Sequence, residues 1–292
     1  MIVDMHSHPY DESVTQLPLR TRAELPTHAT GLGEDLWEGW LDDMLRLGVY
    51  RSTVFGPFGD NDWTARLIAK HAPHLIGFAH VFPLEGEAAC DELTRAVEEL
   101  GLKGLKLYGW HDGCAFGSPE TRAVVKRARS LGIPIVFDCL HGPYDTPLAD
   151  DWRVAHHGNP EAYRGLTRQV QNPRPTLTPE YLDGMEEVTL VLAHLGGGLA
   201  LTEPARLLGY PNIYLDTAAW VNEGFSGSQE EEDWLKEIKQ TVLAVGARRV
   251  LFGSDDRQEE ALQAMDRLKL DDPDRAAVMG GNAARLLGLE EA

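Results

Sequence analysis

The chain has 292 residues, 43% of them hydrophobic, and 46 acidic against 27 basic side chains give a formal net charge of −19. A surface that acidic repels phosphate backbones and anionic lipid, which excludes nucleic acid and bare membrane as partners. Three cysteines (Cys90, Cys114 and Cys139) are too few and too widely spaced for a disulfide framework.

The N-terminal residues Met-Ile-Val-Asp-Met-His lack the basic start and long apolar run of a secretion signal. No apolar stretch reaches the roughly 18 residues a bilayer requires, so a cytoplasmic location is expected. Eight short apolar runs then follow one another, at 1–5, 50–55, 75–82, 102–108, 133–139, 188–193, 213–215 and 250–252. Most are rich in Val, Ile, Leu and Phe without polar alternation, the pattern of strands covered on both faces.

Amphipathic segments lie between them. Residues 35–47 place Leu36, Trp40, Met44 and Leu47 at helical spacing. Residues 87–100 stop at Gly101, and 119–131 stop at Gly132 with Pro134 beyond, both fitting helix ends. Further helices are predicted at 203–208, 230–245, 258–268 and 274–287. Trp37, Trp40 and Trp63 read as core or interface aromatics, and a homo-oligomer is compatible with them.

Eight strands alternating with helices leave a closed barrel or an open doubly wound sheet. The count of eight favours an α/β fold of the (β/α)8 TIM-barrel type, a single domain over 1–292. The polar candidates sit at the ends of strands 1, 5, 6 and 8. In a barrel those ends ring one mouth, whereas in an open sheet they spread along an edge. Residues 142–178 carry five prolines and are too long for an ordinary connection, so they read as an elaborated loop or lid.

Asp4-Met-His6-Ser-His8 closes the first strand. Residues two apart on a strand share a face, so His6 and His8 can grip one cation. Asp4 has the same parity, one layer deeper. It either orients His6 or is a satisfied polar core residue. His194 ends the sixth run, followed by Leu-Gly-Gly-Gly, and Asp255 follows Val-Leu-Phe-Gly-Ser in the last. Asp255 can hold a metal or accept a proton from metal-bound water, and its competing reading is an N-cap for the next helix. On strand 5, Asp138 and His141 can each face the mouth, together or singly, and either is a candidate metal ligand, with His141 also a candidate proton carrier. On strand 4, one of Lys103 and Lys106 faces inward, where Lys106, Tyr108 and His141 are candidates for contact with substrate. His80 reads as a core or rim histidine.

The ordered set of Asp4-Met-His-Ser-His8, Ile76-Gly-Phe-Ala-His-Val-Phe-Pro83, Gly101-Leu-Lys-Gly-Leu-Lys-Leu-Tyr108, Ala193-His-Leu-Gly-Gly197, Asn212-Ile-Tyr-Leu-Asp-Thr217, Leu251-Phe-Gly-Ser-Asp255 and Asn282-Ala-Ala-Arg-Leu-Leu-Gly288 resembles the amidohydrolase superfamily. Within it, the set is similar to the amidohydrolase-related branch, which also contains decarboxylases and lactonases. The resemblance implies a divalent metal at the mouth, usually zinc. His6 and His8 would be ligands, Asp255 a ligand and proton acceptor, and His194 a ligand or acid/base. The departure is at strand 5, where the branch usually has a histidine and this chain has Asp138.

The leading expectation is hydrolysis of a small polar amide, ester or lactone by metal-activated water, with Asp255 taking the proton. A second reading is metal-dependent, non-oxidative decarboxylation of an aromatic or unsaturated acid. His194 would then deliver a proton to carbon, and Lys106 and Arg51 would supply basic charge at the mouth. A third is a degenerate, metal-free barrel, lactonase-like or ligand-binding only.

Overall fold

The structure, a computed structural model, describes residues 1–8, 34–56, 59–108, 118–139, 186–197, 209–218, 229–255 and 257–289. Its strands are β1 (Ile2–Ser7), β2 (Val49–Phe55), β3 (Leu75–His80), β4 (Gly104–Leu107), β5 (Ile135–Phe137), β6 (Leu190–Leu192), β7 (Ile213–Asp216) and β8 (Val250–Leu251). They form one sheet in sequence order, each parallel to the next. The Met5 N–H donates to the Phe252 carbonyl and the Asp255 N–H to the His6 carbonyl, which brings the last strand back to the first. This is the expected (β/α)8 barrel.

The helices are α1 (Glu34–Arg46), α2 (Asn61–Lys70), α3 (Glu87–Glu98), α4 (Pro119–Leu131), α5 (Gln229–Val245), α6 (Gln258–Arg267), α7 (Asp272–Ala276) and α8 (Asn282–Leu287). Local chemistry sets several of their ends. Ser118 accepts from the Thr121 N–H, Pro119 opens α4, and Gly132 closes it in the left-handed region at φ 68°. The single helix expected over 274–287 is instead α7 and α8, separated by a π turn at Ala277–Gly281. The helix expected at 203–208 and the loop or lid at 142–178 lie outside the described residues.

Strand alternation sorts the side chains into two compartments. Leu105 and Leu107 of β4, Ile135 and Phe137 of β5, and Leu190 and Leu192 of β6 pack in one large cluster with Leu93 of α3, Val124 and Val125 of α4, Ile238 and Val242 of α5 and Met265 of α6. A second cluster joins Met5, Phe55, Phe78, Val136, Val191 and Leu251. These come from six strands, several of which are not neighbours in the sheet, so they meet across the lumen. Lys106 lies between the two outward leucines of β4 and therefore points inward. Trp40 and Trp63 pack on a third cluster around Met44, Val54 and Leu67, so both aromatics serve this chain's own core. Among the described residues, no helix is long and apolar enough to cross a membrane.

The inner cluster depends on one close approach. A Cβ added to Gly104 would lie 2.3 Å from the Phe78 ring. Overpacking of this kind costs about 1–3 kcal/mol. We expect Gly104→Ala to lower the denaturation midpoint by a corresponding amount, and Gly104→Ala combined with Phe78→Leu to recover part of it. An unchanged midpoint in Gly104→Ala would contradict this packing.

Candidate functional site

The mouth of the barrel gathers polar side chains from β1, β4, β5, β6, β7 and β8 around His6. The His6 ring is wholly buried, and its Nδ1 lies 2.8 Å from Asp216 Oδ2. Its Nε2 faces His8 Nε2 at 3.0 Å and Asp255 Oδ1 at 3.5 Å, and His8 Nε2 is 3.7 Å from the same Asp255 oxygen. Phe55 stacks edge-on against the His6 ring at 5.0 Å and holds it in place. Tyr108 Oη is 3.2 Å from His8 Nδ1.

A second group adjoins the first. Lys106 Nζ is 3.3 Å from His6 Nε2 and 3.5 Å from Asp138 Oδ2, with the rings of Phe55 and Tyr108 at 4.6 and 4.8 Å. The same Asp138 oxygen lies 3.5 Å from His194 Nε2. His194 stands in an unusual backbone. It and Leu195 and Gly196 occupy the left-handed region, with φ of 57°, 50° and 65°. Each non-glycine residue there costs on the order of 1–2 kcal/mol. Asp216 helps hold the turn, because its Oδ1 accepts from the His194 N–H at 2.8 Å and the Ala218 N–H at 3.1 Å. Asp255 is left-handed as well, with φ 51°, which turns its carboxylate back over β1.

Burial, and then the neighbouring Lys106 charge, push the His6 pKa well below the ordinary histidine value. Burial and His6 do the same to His8. Both rings are therefore neutral and carry lone pairs, the state a metal ligand requires. Burial works against charge on His194 too, but Asp138 overcomes it and lifts that ring to about 9. Burial likewise opposes ionisation of Asp138, yet Lys106 and His194 hold its carboxyl well below the usual range. The mouth thus sets two neutral rings, His6 and His8, beside a charged set of Lys106, Asp138 and His194.

His6, His8 and Asp255 fit a cation. Their three donor atoms leave a point about 2 Å from each, the ordinary bond length from zinc to imidazole nitrogen or carboxylate oxygen. His6, His194 and Asp216 also approach one another closely enough to be considered together. However, the His6 nitrogen nearest Asp216 is already bound to it.

The expected site residues His6, His8, Lys106, Tyr108, Asp138, His194 and Asp255 converge here. His141 lies outside the described residues. Asp4 does not touch the His6 ring; it accepts from the His6 and Ser254 backbone N–H groups, each at 3.0 Å, and from the Ser254 hydroxyl, and is a satisfied core carboxylate. Arg51 sits at the far end of β2 from Phe55, over the Tyr50 ring, and supplies no charge to the mouth. Lys103 is exposed. Asp255 is not a helix cap, since α6 begins after Arg257. Asp216 is the site residue that sequence reasoning missed. A carboxylate ending the apolar run Ile-Tyr-Leu carries the same signal as Asp138, a charge too costly to bury without partners.

The family model described as amidohydrolase matches residues 3–289 of this chain. The chain belongs to the amidohydrolase family. Among curated proteins, the chain is 24% identical over 260 residues to a gamma-resorcylate decarboxylase of Polaromonas sp., covering 78% of this chain and 75% of the relative. It is 23% identical over 258 residues to the gamma-resorcylate decarboxylase of Rhodococcus jostii, covering 79% and 75%. Among solved structures, a dihydroxybenzoic acid decarboxylase from Polaromonas sp. with bound manganese and the inhibitor 2-nitroresorcinol superposes with a TM-score of 0.67 at 17% identity, over 100% of this chain and 98% of the other.

These relatives correct the leading expectation of an amide, ester or lactone hydrolase, since they are decarboxylases. The physical reason for the error is plain. A ligand set of two imidazoles and a carboxylate serves either chemistry, so motifs at the strand ends do not discriminate between them.

The Asp138–His194 pair yields a direct test. In the metal-free protein, NMR titration of labelled histidine should find His194 still protonated at pH 8. Removing the carboxylate charge in Asp138→Asn should shift its titration to lower pH. A His194 that titrates identically in both proteins contradicts the pairing.

Proposed function

We propose that this member of the amidohydrolase family catalyses non-oxidative decarboxylation of an aromatic or unsaturated acid, with a divalent cation held by His6, His8 and Asp255. The observation that carries this reading is the position of Asp138 Oδ2, 3.5 Å from both His194 Nε2 and Lys106 Nζ, which favours a proton on His194 beside His6 and His8. The decarboxylase relatives support it. Two imidazole nitrogens and a carboxylate oxygen suit zinc, and the Polaromonas structure holds manganese, so both ions are candidates.

When bound, the cation supplies positive charge that holds substrate oxygens and offsets the acidic mouth. Lys106 attracts the substrate carboxylate, and its fixed position between Phe55 and Tyr108 orients it. With Nδ1–H directed at Tyr108 Oη, His8 would turn its Nε2 lone pair toward Asp255. His194 Nε2–H gives its proton to the carbon that bears the carboxylate. The bond from that carbon to the carboxylate carbon then breaks, its electron pair restores the ring's conjugation, and carbon dioxide leaves. The Asp138 carboxylate stabilises the imidazolium before transfer and draws a new proton afterwards. Asp138 thus serves His194 and Lys106 in place of a strand-5 metal ligand.

The protein loaded with manganese or zinc should release carbon dioxide from 2,6-dihydroxybenzoate or a related hydroxybenzoic acid, and chelation should abolish the release. His194→Asn should lower kcat by about 10²–10⁴-fold, the usual contribution of a positioned acid, with metal content unchanged. No release across a panel of aromatic and unsaturated acids, or near-normal turnover in His194→Asn, would contradict the proposal.

A further inference from the structure

Asp216 stands on the Nδ1 side of His6, away from His8 and Asp255, and two backbone N–H groups and one ring nitrogen converge on it. Its Oδ1 takes the backbone N–H groups of His194 and Ala218, and its Oδ2 faces His6 Nδ1 at 2.8 Å. The carboxylate is wholly buried. A neutral imidazole carries its proton on one nitrogen or the other, and the partner of one nitrogen decides the state of both. An acceptor fixed at Nδ1 places the proton there and leaves the lone pair on Nε2.

We infer that Asp216 is a positioning residue that fixes His6 in its Nδ1–H tautomer, so that the Nε2 lone pair faces His8 and Asp255. The same side chain anchors the left-handed turn that carries His194, through its other oxygen. One carboxylate on β7 therefore sets both the ligand on β1 and the proton carrier after β6. The consequence for cation binding rests on the reading of His6, His8 and Asp255 as ligands; the tautomer assignment does not.

Asparagine at this position separates the two roles. Its carbonyl oxygen can still accept from the His194 and Ala218 N–H groups, so the turn keeps its anchor. Its amide then presents N–H to His6 Nδ1, a donor where an acceptor stood. His6 must move its proton to Nε2, and the nitrogen that faces the ligand centre loses its lone pair. A purely structural role for Asp216 would leave the tautomer alone.

The test is a long-range proton–nitrogen NMR spectrum of histidine-labelled protein, wild type and Asp216→Asn, with the His6 signals assigned by their loss in His6→Asn. Zinc titration of the same samples is the second readout. Wild type should show His6 protonated at Nδ1. Asp216→Asn should show it at Nε2, with zinc affinity weakened by about 10–100-fold, the usual effect of losing an outer carboxylate partner. Wild-type His6 protonated at Nε2 overturns the inference, and this result does not depend on the variant folding. A folded Asp216→Asn that keeps the wild-type tautomer, or binds zinc as tightly as wild type, also overturns it. A wild-type protein with the expected tautomer that holds no zinc contradicts the ligand reading and leaves the role of Asp216 standing.

Discussion

Asp138, Asp216, Lys106 and His194 are nearly or wholly withdrawn from water at one end of the barrel. Isolated charges in such a place would cost several kcal/mol each, and the groups persist because each has a partner of opposite charge or a set of donors. Asp138 lies 3.5 Å from both the Lys106 ammonium and the His194 ring. Asp216 takes two backbone donors and the His6 ring. Low polarity strengthens these contacts and also makes them mutually dependent, because removing one member strands another. That mutual compensation raises the pKa of His194 while burial lowers those of His6 and His8 beside it.

The barrel makes this compensation possible. Its parallel strands deliver their ends to a single ring, and side chains separated by a hundred residues or more become neighbours: Lys106 meets His6, and Asp255 closes over it. The left-handed turns at His194 and Asp255 are unfavourable for non-glycine residues, and hydrogen bonds to the β7 carboxylate and the β1 backbone offset that cost. Strain at these two positions turns side chains toward the mouth that a regular strand continuation would send elsewhere.

Much of this was legible in the chain. Apolar runs without polar alternation mark strands covered on both faces, and eight of them give the barrel. His6 and His8 share parity at the end of the first strand, and Asp255 follows the last. Helix α2 was not anticipated. Its apolar residues Trp63, Leu67 and Ile68 make a short stripe in a polar segment, although Asp60, which caps it, was a readable signal. Asp216 was passed over because its partners are backbone groups and a ring more than two hundred residues away, which no local pattern encodes. The choice between hydrolysis and decarboxylation was hidden for a related reason. In the reading proposed above it turns on which histidine keeps its proton, and that depends on charges brought together only by the fold.

The central claim is that the mouth delivers a proton to carbon. Turnover of 2,6-dihydroxybenzoate by the metal-loaded protein in water enriched in both deuterium and heavy oxygen tests it most directly, with the product read by mass spectrometry. The account predicts one deuterium on the ring carbon that lost its carboxylate and no heavy oxygen in the aromatic product. A product that retains the carboxylate and carries oxygen from water would contradict it.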